Sequence, residues 1–124
     1  MNTALICLGS NVEDSQEKLM TALRQLCAHC ELMWMSDFHQ SADVTGLGAD
    51  YTNVVVRIST QFELSELIFL LGQYERWAGR TAESKSSGCM PLDIDVVVWN
   101  EQVLRRADYE SAYFKACIAD EGNA

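Results

Sequence analysis

The stretch Pro91-Leu92-Asp93-Ile94-Asp95-Val96-Val97-Val98-Trp99-Asn100 constrains the fold more than any other part of the chain. Its β-branched residues favour an extended strand, and only the two aspartates go against that preference. Side chains alternate along a strand, so Asp93 and Asp95 share one face with Trp99, while Leu92, Ile94, Val96 and Val98 share the other. Two carboxylates about 6–7 Å apart at their backbones repel unless water or a cation separates them. The pair therefore reads either as a divalent-metal site with hard oxygen ligands suited to magnesium, or as the solvated face of an antiparallel sheet.

The rest of the chain supplies partners for this strand. Ala4–Leu8 is a short apolar run closed by Gly9-Ser10-Asn11, which predicts a buried strand and a turn. Leu19, Ala22, Leu23, Leu26, Cys27 and Cys30 then recur at helical spacing, predicting a helix over about Ser15–His29, with Ser10, Asn11 and Asp14 near its start as caps. A strand follows over Glu31–Gln40, then a turn-rich loop, Ser41–Asp50, long enough to serve a substrate. Tyr51–Thr60 alternates clearly, with Val54, Val56 and Ile58 on one face and Asn53, Val55 and Arg57 on the other.

Leu67, Leu70, Leu71, Tyr74 and Ala78 mark a second helix over Glu63–Trp77, ended by Gly79. The Ser-rich Arg80–Gly88 stretch reads as a mobile loop leading to the aspartate strand. Asn100-Glu101 permits a turn into a Val103-Leu104 strand, and Tyr109, Ala112, Tyr113, Ala116 and Cys117 predict a final helix before an acidic, frayed tail. This order predicts an α+β ferredoxin-like sandwich, βαββαβ with an extra C-terminal hairpin strand and helix. The helices would cover one face of the sheet and leave the other free for the aspartates.

With 124 residues, the chain is read as a single domain over 1–124. Met1–Leu5 lacks the charged start and long apolar core of a signal peptide, and no apolar run approaches spanning length, so the expected location is cytoplasmic, without a membrane partner. Five scattered cysteines fit reduced thiols rather than a disulfide framework. Cys27-Ala28-His29-Cys30 has metal-like spacing, but both thiols fall on the apolar helix face and no second ligand pair follows, so they are read as packing groups. His29 and His39 are read as surface residues, and there is no Gly-Lys-Ser/Thr phosphate loop. A net charge of −9 argues against a nucleic-acid partner and means that an anionic substrate needs local cations.

Four motifs in order resemble the hydroxymethyl-dihydropterin pyrophosphokinase family. They are Gly9-Ser10-Asn11, Asp50-Tyr51-x-Asn53, Glu75-x-x-x-Gly79-Arg80 and Leu92-Asp93-Ile94-Asp95, and the resemblance runs from Ala4 to Val103. It implies transfer of pyrophosphate from ATP to a hydroxymethyl-dihydropterin in folate synthesis, by a monomer or homodimer. It also implies that Asp93 and Asp95 hold magnesium and act with Arg80 in catalysis. Tyr51, Asn53 and Val44 would meet the pterin; Glu75, Arg80 and Val96 would meet the nucleotide.

The chain departs from the family pattern just before the aspartates. Where the family has Trp-Gly-Pro-Arg-Thr, this sequence has Ser87, Gly88, Cys89, Met90 and Pro91. A loop arginine is replaced by Ala82, a nucleotide-binding glutamine by Gly72, and a Pro-His segment by Arg105-Arg106-Ala107-Asp108-Tyr109. Arg80 remains, and Lys85, Arg105 and Arg106 are candidate substitutes. The alternative to an enzyme is a degenerate, non-catalytic relative acting as a pterin- or nucleotide-binding or interaction module.

Overall fold

A computed structural model of the chain describes residues 1–122. The elements are β1 (Asn2–Ser10), α1 (Ser15–Cys27), β2 (Glu31–Met35), β3 (His39–Ser41), β4 (Tyr51–Thr60), α2 (Leu64–Trp77), α3 (Ser84–Ser87), β5 (Asp93–Trp99), β6 (Gln102–Val103), α4 (Arg106–Tyr109) and α5 (Ala112–Gly122). The strands form one antiparallel sheet in the order β2-β4-β1-β5-β6, with β3 also on β4. This is the ferredoxin-like α+β arrangement expected, with the aspartate strand next to the central β1.

Period-two apolar residues of the sheet meet the apolar stripes of α1 and α2 on one face. Ile6, Leu8, Val54, Val56, Ile58 and Ile94 pack there with Leu19, Leu23, Leu26, Leu67 and Leu71. Burial of this kind contributes about 25 cal/mol per Å² of apolar surface and is the main driving force for the sandwich. Glu66 accepts the Glu63 backbone N–H at 2.8 Å at the start of α2, satisfying a donor that the helix itself leaves free.

The opposite face is not free, contrary to the sequence reading. α5 lies on it, and Phe114 and Cys117 pack with Leu5, Cys7, Val55 and Val97 in a second, smaller core. Nor is the acidic tail frayed as far as Gly122. Asp120 and Glu121 belong to α5 and pair with His39 and Arg57 at 2.8 Å each. Sequence periodicity showed a helix here but not which face would receive it.

Four local expectations also change. The strand over Glu31–Gln40 breaks into β2 and β3 at Ser36, whose hydroxyl accepts the Val55 N–H at 3.0 Å and replaces the missing ladder bond. The Arg80–Gly88 loop contains the single-turn helix α3, closed by Gly88 in the left-handed region. Cys27 is exposed rather than packed, because the apolar face of α1 ends at Leu26. Finally, β5 carries a bulge at Val97, with Ile6 opposite Val96 but Leu5 opposite Val98. The bulge reverses the alternation, so Trp99 packs against the α1/α2 core and not beside the aspartates.

Candidate functional site

The open part of the second face is built by strand register. Asn53, Gly9 and Asp93 lie opposite one another across β4, β1 and β5, and Val55, Cys7 and Asp95 form the adjoining row. With strands 4.7–4.9 Å apart, the backbones of Asn53 and Asp93 are separated by about 9–10 Å. Gly9 leaves that gap open. A Cβ there would come within 3.0 Å of Asn53 Oδ1 and 3.4 Å of the Tyr51 ring.

Two cavities meet at the aspartates. The first, of about 400 Å³, is lined by Val44, Tyr51, Asn53, Asp93, Asp95 and Arg105, among others. The second, of about 390 Å³, is lined by Glu75, Arg80, Val96, Asp93, Asp95 and Arg105, among others. The eight residues that the resemblance assigns to the site, Val44, Tyr51, Asn53, Glu75, Arg80, Asp93, Asp95 and Val96, thus all line one or both cavities. The three expected at a substrate line one cavity, and the three expected at a nucleotide line the other. Of the substitute cations, Lys85 lines the first cavity and Arg105 both, whereas Arg106 is exposed and faces Glu110 at 3.7 Å.

The loops that wall the first cavity are tied together by Asn11. Its Nδ2 donates to Gly88 O at 2.9 Å and Ala49 O at 3.3 Å, and its Oδ1 accepts the Met90 N–H at 2.7 Å. Asn11 therefore does not serve as the expected helix cap, and α1 begins without a side-chain cap. Asp43 organises the adjacent loop by accepting the N–H groups of Thr45 and Gly48 at 3.0 and 2.8 Å. Gly48 and Gly88 touch so closely that a Cβ at Gly48 would fall 1.9 Å from Gly88 O.

Charge around the aspartates is arranged asymmetrically. Arg80 Nη1 donates to Glu75 Oε2 at 2.6 Å and to Asp93 Oδ1 at 2.9 Å, and Glu75 Oε2 also accepts the Ile94 N–H at 2.8 Å. Burial nevertheless pushes the Glu75 carboxyl upward. Asp95 is raised from 3.8 to about 7, first by desolvation and then by repulsion from Asp93, while Arg105 at 3.7 Å opposes the rise. Asp108 engages Arg105 with one oxygen and accepts the Tyr113 hydroxyl at 2.7 Å with the other.

Among the described residues, no group of three or more His, Cys, Asp or Glu is placed to hold a metal ion. The aspartates therefore offer two carboxylates and no complete protein cage. That donor set suits magnesium, which commonly binds through one or two carboxylates and completes its shell with water and substrate phosphates. No helix among the described residues is long and apolar enough to cross a membrane.

Residues 5–120 match the family model for 7,8-dihydro-6-hydroxymethylpterin-pyrophosphokinase (HPPK). The chain belongs to the HPPK family. It is 31% identical over 105 residues to 2-amino-4-hydroxy-6-hydroxymethyldihydropteridine pyrophosphokinase of Bacillus subtilis (strain 168), covering 82% of this chain and 62% of that protein. The Haemophilus influenzae protein of the same name is 29% identical over 108 residues, covering 85% and 67%. Bifunctional protein FolKE of Lactococcus lactis subsp. lactis (strain IL1403) is 30% identical over 104 residues, covering 82% of this chain. The chain spans only 30% of the length of that FolKE protein. Within the matched range, Gly9, Tyr51, Asn53, Glu75, Arg80, Asp93, Ile94 and Asp95 line the two cavities.

Proposed function

We propose that residues 1–124 act as one domain that transfers a pyrophosphoryl group from ATP to 6-hydroxymethyl-dihydropterin, a step of folate synthesis. The observation that carries this reading is the position of Asp93 and Asp95 on the wall shared by the two cavities. Tyr51, Asn53 and Val44 would take the pterin. An amide that both donates and accepts suits a heterocycle edge, and a phenol ring packs on its face. Glu75, Arg80 and Val96 would take the nucleotide.

In the transfer, the hydroxymethyl oxygen forms a bond to the β-phosphorus, the bond from that phosphorus to the bridging α–β oxygen breaks, and AMP leaves. Such reactions are accelerated mainly by positioning and charge stabilisation. Magnesium held by Asp93 and Asp95 would neutralise charge on the phosphate oxygens. Arg80 braces Asp93 and Glu75, so one carboxylate is fixed before any ligand arrives. Asp95 is desolvated beside Asp93, an unfavourable setting for its charge that a cation would relieve.

The same reading takes the protein as cytoplasmic, a monomer or homodimer, with no nucleic-acid partner; the charge of −9 supports the last point. The test is AMP release from ATP with 6-hydroxymethyl-dihydropterin and magnesium. Release dependent on both the pterin and the metal is the expected result. Calorimetric pterin binding with no AMP release would replace the enzyme by a non-catalytic binding module.

A further inference from the structure

The two cavities are poor in positive charge, and the three cations on their walls are not equivalent. Lys85 lines only the first and Arg80 only the second. Arg80 is also committed, donating to two carboxylates and to Leu92 O from a single nitrogen. Arg105 lines both cavities, its side chain is half exposed, and its contact with Asp95 is a loose 3.7 Å. Asp108 engages its Nε, and neither Nη group makes a hydrogen bond among the described residues, so the outer edge of the guanidinium can reach across the aspartates.

The fold delivers it there by a specific route. Asn100 and Glu101, both with positive φ, turn the chain from β5 into β6. The bulged Val97 then accepts the N–H groups of Leu104 and Arg105 at 2.8 and 3.4 Å, which returns the chain to the level of Asp95. From α4, Asp108 holds the Arg105 guanidinium, and Tyr113 on α5 holds Asp108. Phe114, next in sequence, is buried in the second core and fixes that tyrosine.

We propose that Arg105 is the residue that contacts the nucleotide polyphosphate where the two cavities join, and that Asp108 and Tyr113 are its positioning residues. The assignment rests on the nucleotide reading of the second cavity and adds to it a residue outside the matched motifs. A guanidinium is suited to the task because its fork can bond two phosphate oxygens at once while staying charged. Asp108 keeps that fork oriented, and the loose hold of Asp95 lets it swing to a ligand.

The experiment is calorimetric titration with α,β-methylene-ATP and magnesium, which reads binding whether or not turnover occurs. Arg105→Met is expected to weaken binding roughly ten- to hundredfold, the scale of one or two lost charge-assisted bonds. Arg105→Lys should recover part of the loss, and Asp108→Asn should weaken binding less than Arg105→Met. Arg106→Met makes the same change in net charge on an exposed neighbour and should stay within about twofold. Equal effects of Arg105→Met and Arg106→Met, or no binding by the wild type, would overturn the assignment. Arg105-dependent binding without AMP release leaves Arg105 standing and removes the pyrophosphokinase reading. AMP release that survives with unchanged nucleotide affinity in Arg105→Met does the reverse.

Discussion

The two faces of this sheet are made by the same strands and do different work. Beneath α1 and α2 the face is closed, and Ile6, Leu8, Val54, Val56, Ile58 and Leu67 are shut off from solvent. On the other face α5 covers β4 and reaches Val97 of β5 with Phe114 and Cys117, and the first residues of β5 are left open with Asp93, Asp95 and Arg105. Carboxylates placed on the closed face would be desolvated without partners. On the open face their repulsion is tolerated because ligands, arginines and water can reach them. Each side of the layer thus contributes a core, but the chemistry is confined to one side.

The sharpest way to break this division is to remove the open-face carboxylates. Asp95→Ala should lower AMP release by about a thousandfold, as expected where charge stabilisation is the main catalytic contribution. Its thermal unfolding temperature should stay the same or rise, since a desolvated charge is removed. Turnover within tenfold of wild type would take Asp95 out of the chemistry.

Truncations in the two cores give the next largest effect. Leu67→Ala on the closed face should destabilise by about 2–5 kcal/mol, and Phe114→Ala on the other face by about 3–5 kcal/mol, in urea unfolding. Their consequences for activity should differ. Leu67 touches neither cavity, so the protein that remains folded should keep its rate. Phe114 anchors the helix that carries Tyr113, so that variant should lose nucleotide affinity even at temperatures where it is fully folded. Matching activity losses in both would mean that the faces are not separable.

The closed face was legible in the sequence because its signals are local and periodic. Leu19, Leu23 and Leu26 repeat at helical spacing, and Val54, Val56 and Ile58 alternate. The site was legible in part for the same reason, since Asn53, Gly9 and Asp93 fall into one row once the strands are paired. What escaped depends on partners distant in sequence. Trp99 faces the α1/α2 core, where strict alternation would put it beside the aspartates, because alternation has no way to signal the bulge at Val97. Asp120 and Glu121 looked like a solvated tail because His39 and Arg57 lie 81 and 64 residues away. Asn11 fits a helix cap by position, and only the folded chain brings Gly88, Ala49 and Met90 to its amide.

A smaller effect separates the faces by pH. The folded Asp95 carboxyl, raised from 3.8 to about 7, binds its proton more tightly than the unfolded one. Its stabilising contribution is therefore full below about pH 4, falls as pH rises, and is gone above about pH 7. Asp95→Asn should remove this slope and be more stable than wild type at pH 8 by roughly 1–3 kcal/mol in metal-free buffer. The informative quantity is the difference between the two stability curves, because burial raises Glu75 in the same direction and Glu75 is present in both proteins. A flat difference between pH 4 and 8 would show that Asp95 is not desolvated.

The smallest effect concerns how α5 is held at its end. Arg57 donates to Glu121 through Nε at 2.9 Å and Nη2 at 2.8 Å, and Asp120 accepts the Asp37 N–H at 2.9 Å beside His39. Arg57 and Glu121 are each about one-third exposed, so solvent and salt screen them. Arg57→Ala should cost only about 0.5–1 kcal/mol, less in high salt. The loss should be local, because the last turn of α5 relies on this rim and the first half on Phe114. Hydrogen exchange should quicken in the last turn of α5 and stay unchanged in α2, whose Leu67 and Leu71 sit in the closed core. If the α2 amides quicken by the same factor, the two faces open as one cooperative unit and their separation is of chemistry alone.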